Sequence, residues 1–169
     1  MNFLKKIIDV EVEEKYFKRI VFVGVLIVIL ALLIVFLDLG LIRNYEIPKG
    51  IKTKNDGAVE YRIDSISTGR KYIEITGWAY KKGQNIGYFD NRFVIRNEET
   101  KEYKVLSTEM KMVDEFFSID EKYDCRRAGM YAKSLALGVK KGLYQIFIEY
   151  KNDDENLLFD TGILFNYGQ

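Results

Sequence analysis

At 169 residues the chain has room for one ordinary domain and some accessories. It carries 26 basic and 25 acidic side chains, no histidine and a single cysteine. That composition removes the commonest general base and metal ligand, rules out an internal disulfide, and offers no basic excess for nucleic acid.

Residues 1–19, MNFLKKIIDVEVEEKYFKR, form a charged juxtamembrane segment. Phe3, Leu4, Ile7 and Ile8 fall at helical spacing, so the segment reads either as a tail whose charges hold topology or as a short amphipathic docking helix. Ile20 to Leu37 is an 18-residue run without a charge or a side-chain hydrogen-bonding group, and apolar character resumes after Asp38 as far as Ile42. About 20 helical residues at 1.5 Å each cross a hydrocarbon core of about 30 Å, so residues 20–42 are expected to be a transmembrane helix. A cleaved signal peptide would have a shorter apolar stretch and a small-residue cleavage site, and neither is present. The segment therefore reads as a signal anchor. Lys5, Lys6, Lys15, Lys18 and Arg19 precede it, while Arg43, Lys49, Lys52 and Lys54 follow it. With Lys18 and Arg19 abutting the bilayer, the bias places the N-terminus in the cytoplasm and the C-terminal domain outside the cell membrane.

Residues 43–56 hold the only proline, Pro48, then Gly50 and an Asn-Asp-Gly turn, and read as a polar linker. Residues 57–169 have nearly balanced charge and a period of two. VEYRID, KYIEITGWAYK, NRFVIRN, EYKVLST, GMYAKSLAL, LYQIFIEY and LLFDTGILFN are about seven short strands at regular spacing. The expected fold is thus all-β, an Ig-like β-sandwich behind a single membrane helix. In KMVDEFFSIDEKYDCRR, the spacing of Met112, Val113, Phe116 and Phe117 predicts a helical turn across one end of that sandwich.

Few motifs suggest chemistry. Asp160-Thr161-Gly162 matches the aspartic-protease triplet, but Ile163 and Leu164 follow it, no second copy exists, and a strand with a bulge at Gly162 explains it better. Asn152 to Asn156 lacks the spacing and central glycine of a calcium loop, and reads as a solvated hairpin tip. Arg126 and Arg127 could clamp an anion, or pair with Asp114, Glu115 or Asp124. No catalytic residues, metal ligands or cofactor are expected, and the chain is not read as an enzyme.

The lone tryptophan, Trp78, sits in IEITGWAY. Strict alternation places Ile73, Ile75, Gly77 and Ala79 inward, and Tyr72, Glu74, Thr76, Trp78 and Tyr80 outward. An outward row of Tyr72, Trp78 and Tyr80 would suit sugar rings or a protein partner. A bulge at Gly77 would instead turn Trp78 into the core, and for a single Trp in a small sandwich this is the favoured placement.

The I-x-G-W-A strand (Ile75, Gly77, Trp78, Ala79), Val113-Asp114 with Phe117, Gly129-Met130, and Gly142 with Tyr144 and Ile146 resemble a β-sandwich module of bacterial envelope membrane proteins associated with surface polysaccharides. The resemblance covers about residues 60–150, with Lys111 or Met112 where an arginine is expected and Met130 where an aromatic is commoner. It implies an envelope role and no catalytic residues. The expected function is a non-catalytic, membrane-anchored accessory protein of envelope or surface-glycan assembly. The lipid bilayer and either a cell-surface glycan or an envelope-assembly protein would be its partners. Trp78, Tyr72 and Tyr80 are the leading ligand-binding candidates, with Arg126 and Arg127 next. The alternative is a scaffold subunit recruited through its membrane helix and N-terminal segment.

Overall fold

The computed structural model describes residues 14–53, 57, 59–86, 90–113, 123, 125–152 and 155–168. The amphipathic segment before residue 14 and the turn expected around Phe116 and Phe117 lie outside them. The chain divides into two units, residues 1–39 and 40–169.

The first unit contains helix α1, Glu14–Gly40, whose stretch Tyr16–Val35 is long and apolar enough to cross a membrane. Its described side chains are exposed all round: Ile20, Phe22 and Leu32 are each about two-thirds exposed. A helix apolar on every face has no side to turn toward water, a pattern shared by core helices of large proteins and by membrane spans.

The second unit is two antiparallel sheets. One runs β2 (Val59–Thr68), β3 (Tyr72–Lys81), β7 (Gly129–Leu135), β6 (Thr108–Lys111). The other runs β1 (Arg43–Asn44), β5 (Tyr103–Val105), β4 (Arg92–Asn97), β8 (Gly142–Asn152), β9 (Glu155–Tyr167). Alternation drives both: Ile73, Ile75 and Ala79 of β3 meet Phe93 and Ile95 of β4 and Tyr144, Ile146, Ile148 and Tyr150 of β8 in one buried core.

The strand count exceeds the expected seven for two reasons. EYKVLST is not one strand: β5 pairs with β4 and β6 with β7, so the chain changes sheets across Leu106 and Ser107. Leu106 is 1% exposed, Thr108 Oγ1 accepts from Phe93 N at 3.1 Å, and Ser134 Oγ accepts from Ser107 N at 3.0 Å, which stitches the crossing to both layers. The second reason lies in the segment after the helix. Residues 41–42, expected to end the membrane span, belong to the β unit. Leu41 bridges Leu135 of β7, Ile42 N donates to Leu135 O at 3.2 Å, and Ile42 is buried in the main core.

Residues 43–52, expected as a linker, form a strap over the outer face of the five-stranded sheet. Arg43–Asn44 pair with β5, and Lys52 bridges Leu157 of β9 at the opposite edge. Between them Tyr45 and Ile51 pack on Val94, Phe147 and Leu158. Burial, and then the charge of the neighbouring Glu149, push the Tyr45 hydroxyl far above its ordinary pKa. Glu149 is 2% exposed and stands opposite Arg92, whose guanidinium is held by Asp90 at 2.7 Å. The polarity of the segment concealed this role. One apolar side chain and one tyrosine hold it, too few to show a period.

Candidate functional site

Strand β3 runs in unbroken register against β7, from Tyr72↔Leu135 to Trp78↔Gly129. No bulge occurs at Gly77, so the expected inward turn of Trp78 is not made. The irregularity lies on the partner strand, where the register of β2 shifts between Ile63 and Ser65. That bulge pushes β2 backbone toward β3, and a Cβ on Gly77 would lie 2.3 Å from Arg62 O. Glycine is required there by close approach of another backbone.

Trp78 therefore keeps its outward direction, yet it is half-buried. Tyr80, expected on the exposed row, is buried at 2% exposure. Both belong to a small second cluster on the outer face, with Ile86, Cys125 and Ala128 buried and Val113 and Tyr123 packed beside them. Ile86, after β3, and Cys125 and Ala128, before β7, pack over this end of the sheet, which strand alternation alone does not reveal. Cys125 is a buried member of that cluster, its thiol 3.7 Å from Gln84 O. The Trp78 and Tyr80 rings lie 5.6 Å apart, and the Tyr80 hydroxyl donates to Glu60 at 2.7 Å. Lys82, followed by that hydroxyl, holds the Glu60 carboxyl below its ordinary pKa.

Along the rest of β3 the outer face stays open. Tyr72 is half-buried with Lys133 Nζ 5.1 Å from its ring centre. Lys133 also pairs with Glu74 across the strands at 3.1 Å. Thr76 stands opposite Tyr131, over whose ring Lys111 Nζ lies 3.9 Å away. Arg62, directly opposite Trp78, places its guanidinium 5.5 Å from the indole and its Nε 2.5 Å from Asp64. The face is thus a strip of Tyr72, Thr76, Tyr131 and Trp78 bordered by cations that mostly have their own carboxylates.

Of the sequence-derived candidates, Tyr72 and Trp78 share this face, six residues or about 20 Å apart along the strand. Tyr80 lies buried within the second cluster. Arg126 and Arg127 lie on a 3-10 turn, Arg126–Ala128, that leads into β7; Arg127 is exposed. Ala128 packs in the cluster that takes in Trp78, so this turn borders the closed end of the strip. Asp114, Glu115 and Asp124, their possible partners, lie outside the described residues. Sequence reasoning missed Tyr131, Lys133 and Arg62. The alternation in GMYAKSL does place Tyr131 and Lys133 outward, but only the strand pairing puts them beside Tyr72 and Thr76.

The remaining motifs are structural. Asp160 accepts from Gly162 N at 2.7 Å and from the Gln145 side-chain amide at 2.7 Å, while Thr161 Oγ1 donates to Ile146 O at 2.7 Å. Gly162, at φ +72°, sits in the bulge where β9 slips against β8. At the β8–β9 hairpin Asn152 pairs with Glu155, and residues 153 and 154 lie outside the described set. A small cleft of 160 Å³ between the strap and β9 is lined by Gly50, Lys52, Glu155, Asn156 and Leu157. Among the described residues no three His, Cys, Asp or Glu side chains gather to hold a metal ion.

Comparison with protein-family models, with curated proteins and with solved structures finds no match.

Proposed function

We propose that the chain is a non-catalytic accessory protein of bacterial envelope or surface-glycan assembly. Helix α1 anchors it in the cell membrane with the N-terminus cytoplasmic, and the β unit outside binds a glycan or a protein of that machinery. The order β2-β3-β7-β6 against β9-β8-β4-β5 supports reading the β unit as an Ig-like sandwich. The observation that carries the binding reading is the open strip of Tyr72, Tyr131 and Trp78 on one sheet face. Planar rings offer apolar faces to sugar C–H groups at little entropic cost, and Thr76 and the bordering charges supply hydrogen bonds at the margin. Because Lys133 and Arg62 are each paired with a carboxylate, the strip has no strong net charge and favours a polar ligand over a polyanion.

The test is titration of the full chain in detergent with fragments of the cell-surface polysaccharide, read by Trp78 emission. Saturable change is expected, with at least a tenfold loss of affinity in Tyr72→Ala/Tyr131→Ala. Unchanged emission and no heat of binding would reject the glycan version. Photocrosslinking from position 131 in intact cells then decides whether a protein occupies the strip.

A further inference from the structure

One end of the β unit is tied to the point where the chain leaves α1. Leu41 pairs with Leu135, and Ile42 N bonds to Leu135 O, within two residues of the last helical residue, Gly40. Three other segments meet there: the β2–β3 turn at residues 69–71, the β7–β8 loop at residues 136–141, and the end of β9. Ala136 N donates to Lys71 O at 2.8 Å, which joins the turn to the loop. Two buried tyrosines of the core fix their backbones: Tyr144 Oη donates to Lys140 O at 2.8 Å and Tyr167 Oη to Arg70 O at 3.1 Å.

What these fixed backbones present is one-sided. Arg70, Lys71, Lys140 and Lys141 are all exposed, and residues 69–71 and 136–143 contain no acidic residue. Leu137, between them, is 53% exposed although it sits at the tip of a loop, and Leu143 is 40% exposed. The nearby β4–β5 turn carries Glu98, which Arg96 and Lys101 engage, and the exposed Glu99 and Glu102, so four cations face two acidic side chains at its margin. The β unit as a whole has no basic excess, so this concentration is local.

We infer that this end of the β unit is a docking surface for anionic lipid headgroups, with Leu137 entering the interface and Arg70, Lys71, Lys140 and Lys141 lying over the phosphates. The inference rests on the reading of α1 as a membrane span. Covalent reach supplies the reason for a lipid surface in particular. Leu137 is two residues past Leu135, about 7 Å of strand, and Leu135 is paired with Leu41. A chain leaving the hydrocarbon near residues 37–40 therefore cannot carry this loop far from the bilayer. An exposed leucine flanked by lysines is the composition of a segment that lies in the headgroup region.

The experiment places a nitroxide label at position 137 (Leu137→Cys in a Cys125→Ala background) of the full chain, reconstituted in vesicles of phosphatidylcholine alone or with 30% phosphatidylglycerol. Collision with oxygen and with a water-soluble nickel chelate reads its depth. A second label at Leu30→Cys reports the helix. In anionic vesicles the loop label is expected to move about 5 Å or more into the interface, and to return to water in 0.5 M salt or in Arg70→Gln/Lys71→Gln/Lys140→Gln/Lys141→Gln. Salt needs no substitution, and far-UV circular dichroism checks that the quadruple variant folds. A loop label that is water-accessible in both vesicles, or equally immersed in both, overturns the assignment while the Leu30 label stays in hydrocarbon. A Leu30 label found in water overturns the span reading itself.

Discussion

Two glycines hold the surroundings of Trp78 in place. Gly77 precedes it beneath the β2 bulge, and Gly129 stands opposite it, where a Cβ would lie 2.6 Å from both Lys111 O and the Val113 side chain. Gly77→Ala forces the neighbouring backbone to shift, and a loss of about 1–3 kcal/mol is expected in urea denaturation. Of the other described residues of the envelope-module resemblance, Ile75, Ala79, Met130, Tyr144 and Ile146 are essentially inaccessible, while Val113 and Gly142 are half-buried. The GWA pattern thus specifies mainly packing, and the half-buried Tyr131 on the outer face lies outside it. Tyrosines also set the alkaline limit. Burial pushes the Tyr150 phenol up to about 12 and raises Tyr144 and Tyr45 as well. Below pH 10 their contribution to stability is complete. Between pH 10 and 12 the unfolded chain ionises first, so stability falls as pH rises, on the order of 3 kcal/mol from Tyr150 alone. Urea midpoints at pH 9 and 11.5 check this, and Tyr150→Phe should flatten the slope.

At the scale of elements, a period of two located strands and their faces well, because burial on one side is what writes that period into sequence. VEYRID, KYIEITGWAYK and LYQIFIEY fall inside β2, β3 and β8 or within a residue of their ends. Alternation says nothing about pairing, however, so the change of sheets at Leu106 and the meeting of Tyr131 with Thr76 were not readable. The strap was hidden for a related reason: its attachment depends on single side chains and isolated backbone bonds. Ile42→Ala, which empties a core position, should cost about 2–4 kcal/mol in the full chain. A residue at the end of the membrane span would cost the β unit nothing measurable, so chemical denaturation in detergent separates the two.

For the whole molecule, the apolar run was the most legible feature, and α1 contains it from end to end. The candidate site was legible in part. Tyr72 and Trp78 keep the outward face assigned by alternation, whereas Tyr80 is buried among Ile86, Cys125 and Ala128, contacts that no local pattern records. Since residues 1–39 and 40–169 are separate units, replacing residues 20–35 with an unrelated apolar sequence should leave the urea midpoint of the β unit within about 0.5 kcal/mol. The same exchange, assayed in cells, separates the roles: retained function points to the β face, and lost function to a scaffold acting through the helix.

The strap has one more consequence, concerning reach. While Leu41, Arg43, Asn44 and Lys52 stay paired, residues 41–52 are held against the sheets. Those pairings are few: two isolated bridges and a two-residue edge strand. Peeling them would free residues 41–58, which extended span about 60 Å. Pulling on the chain ends would then release this segment before the sheets unravel, and force–extension traces should show a first step shorter than that extended length by the distance the strap already spans.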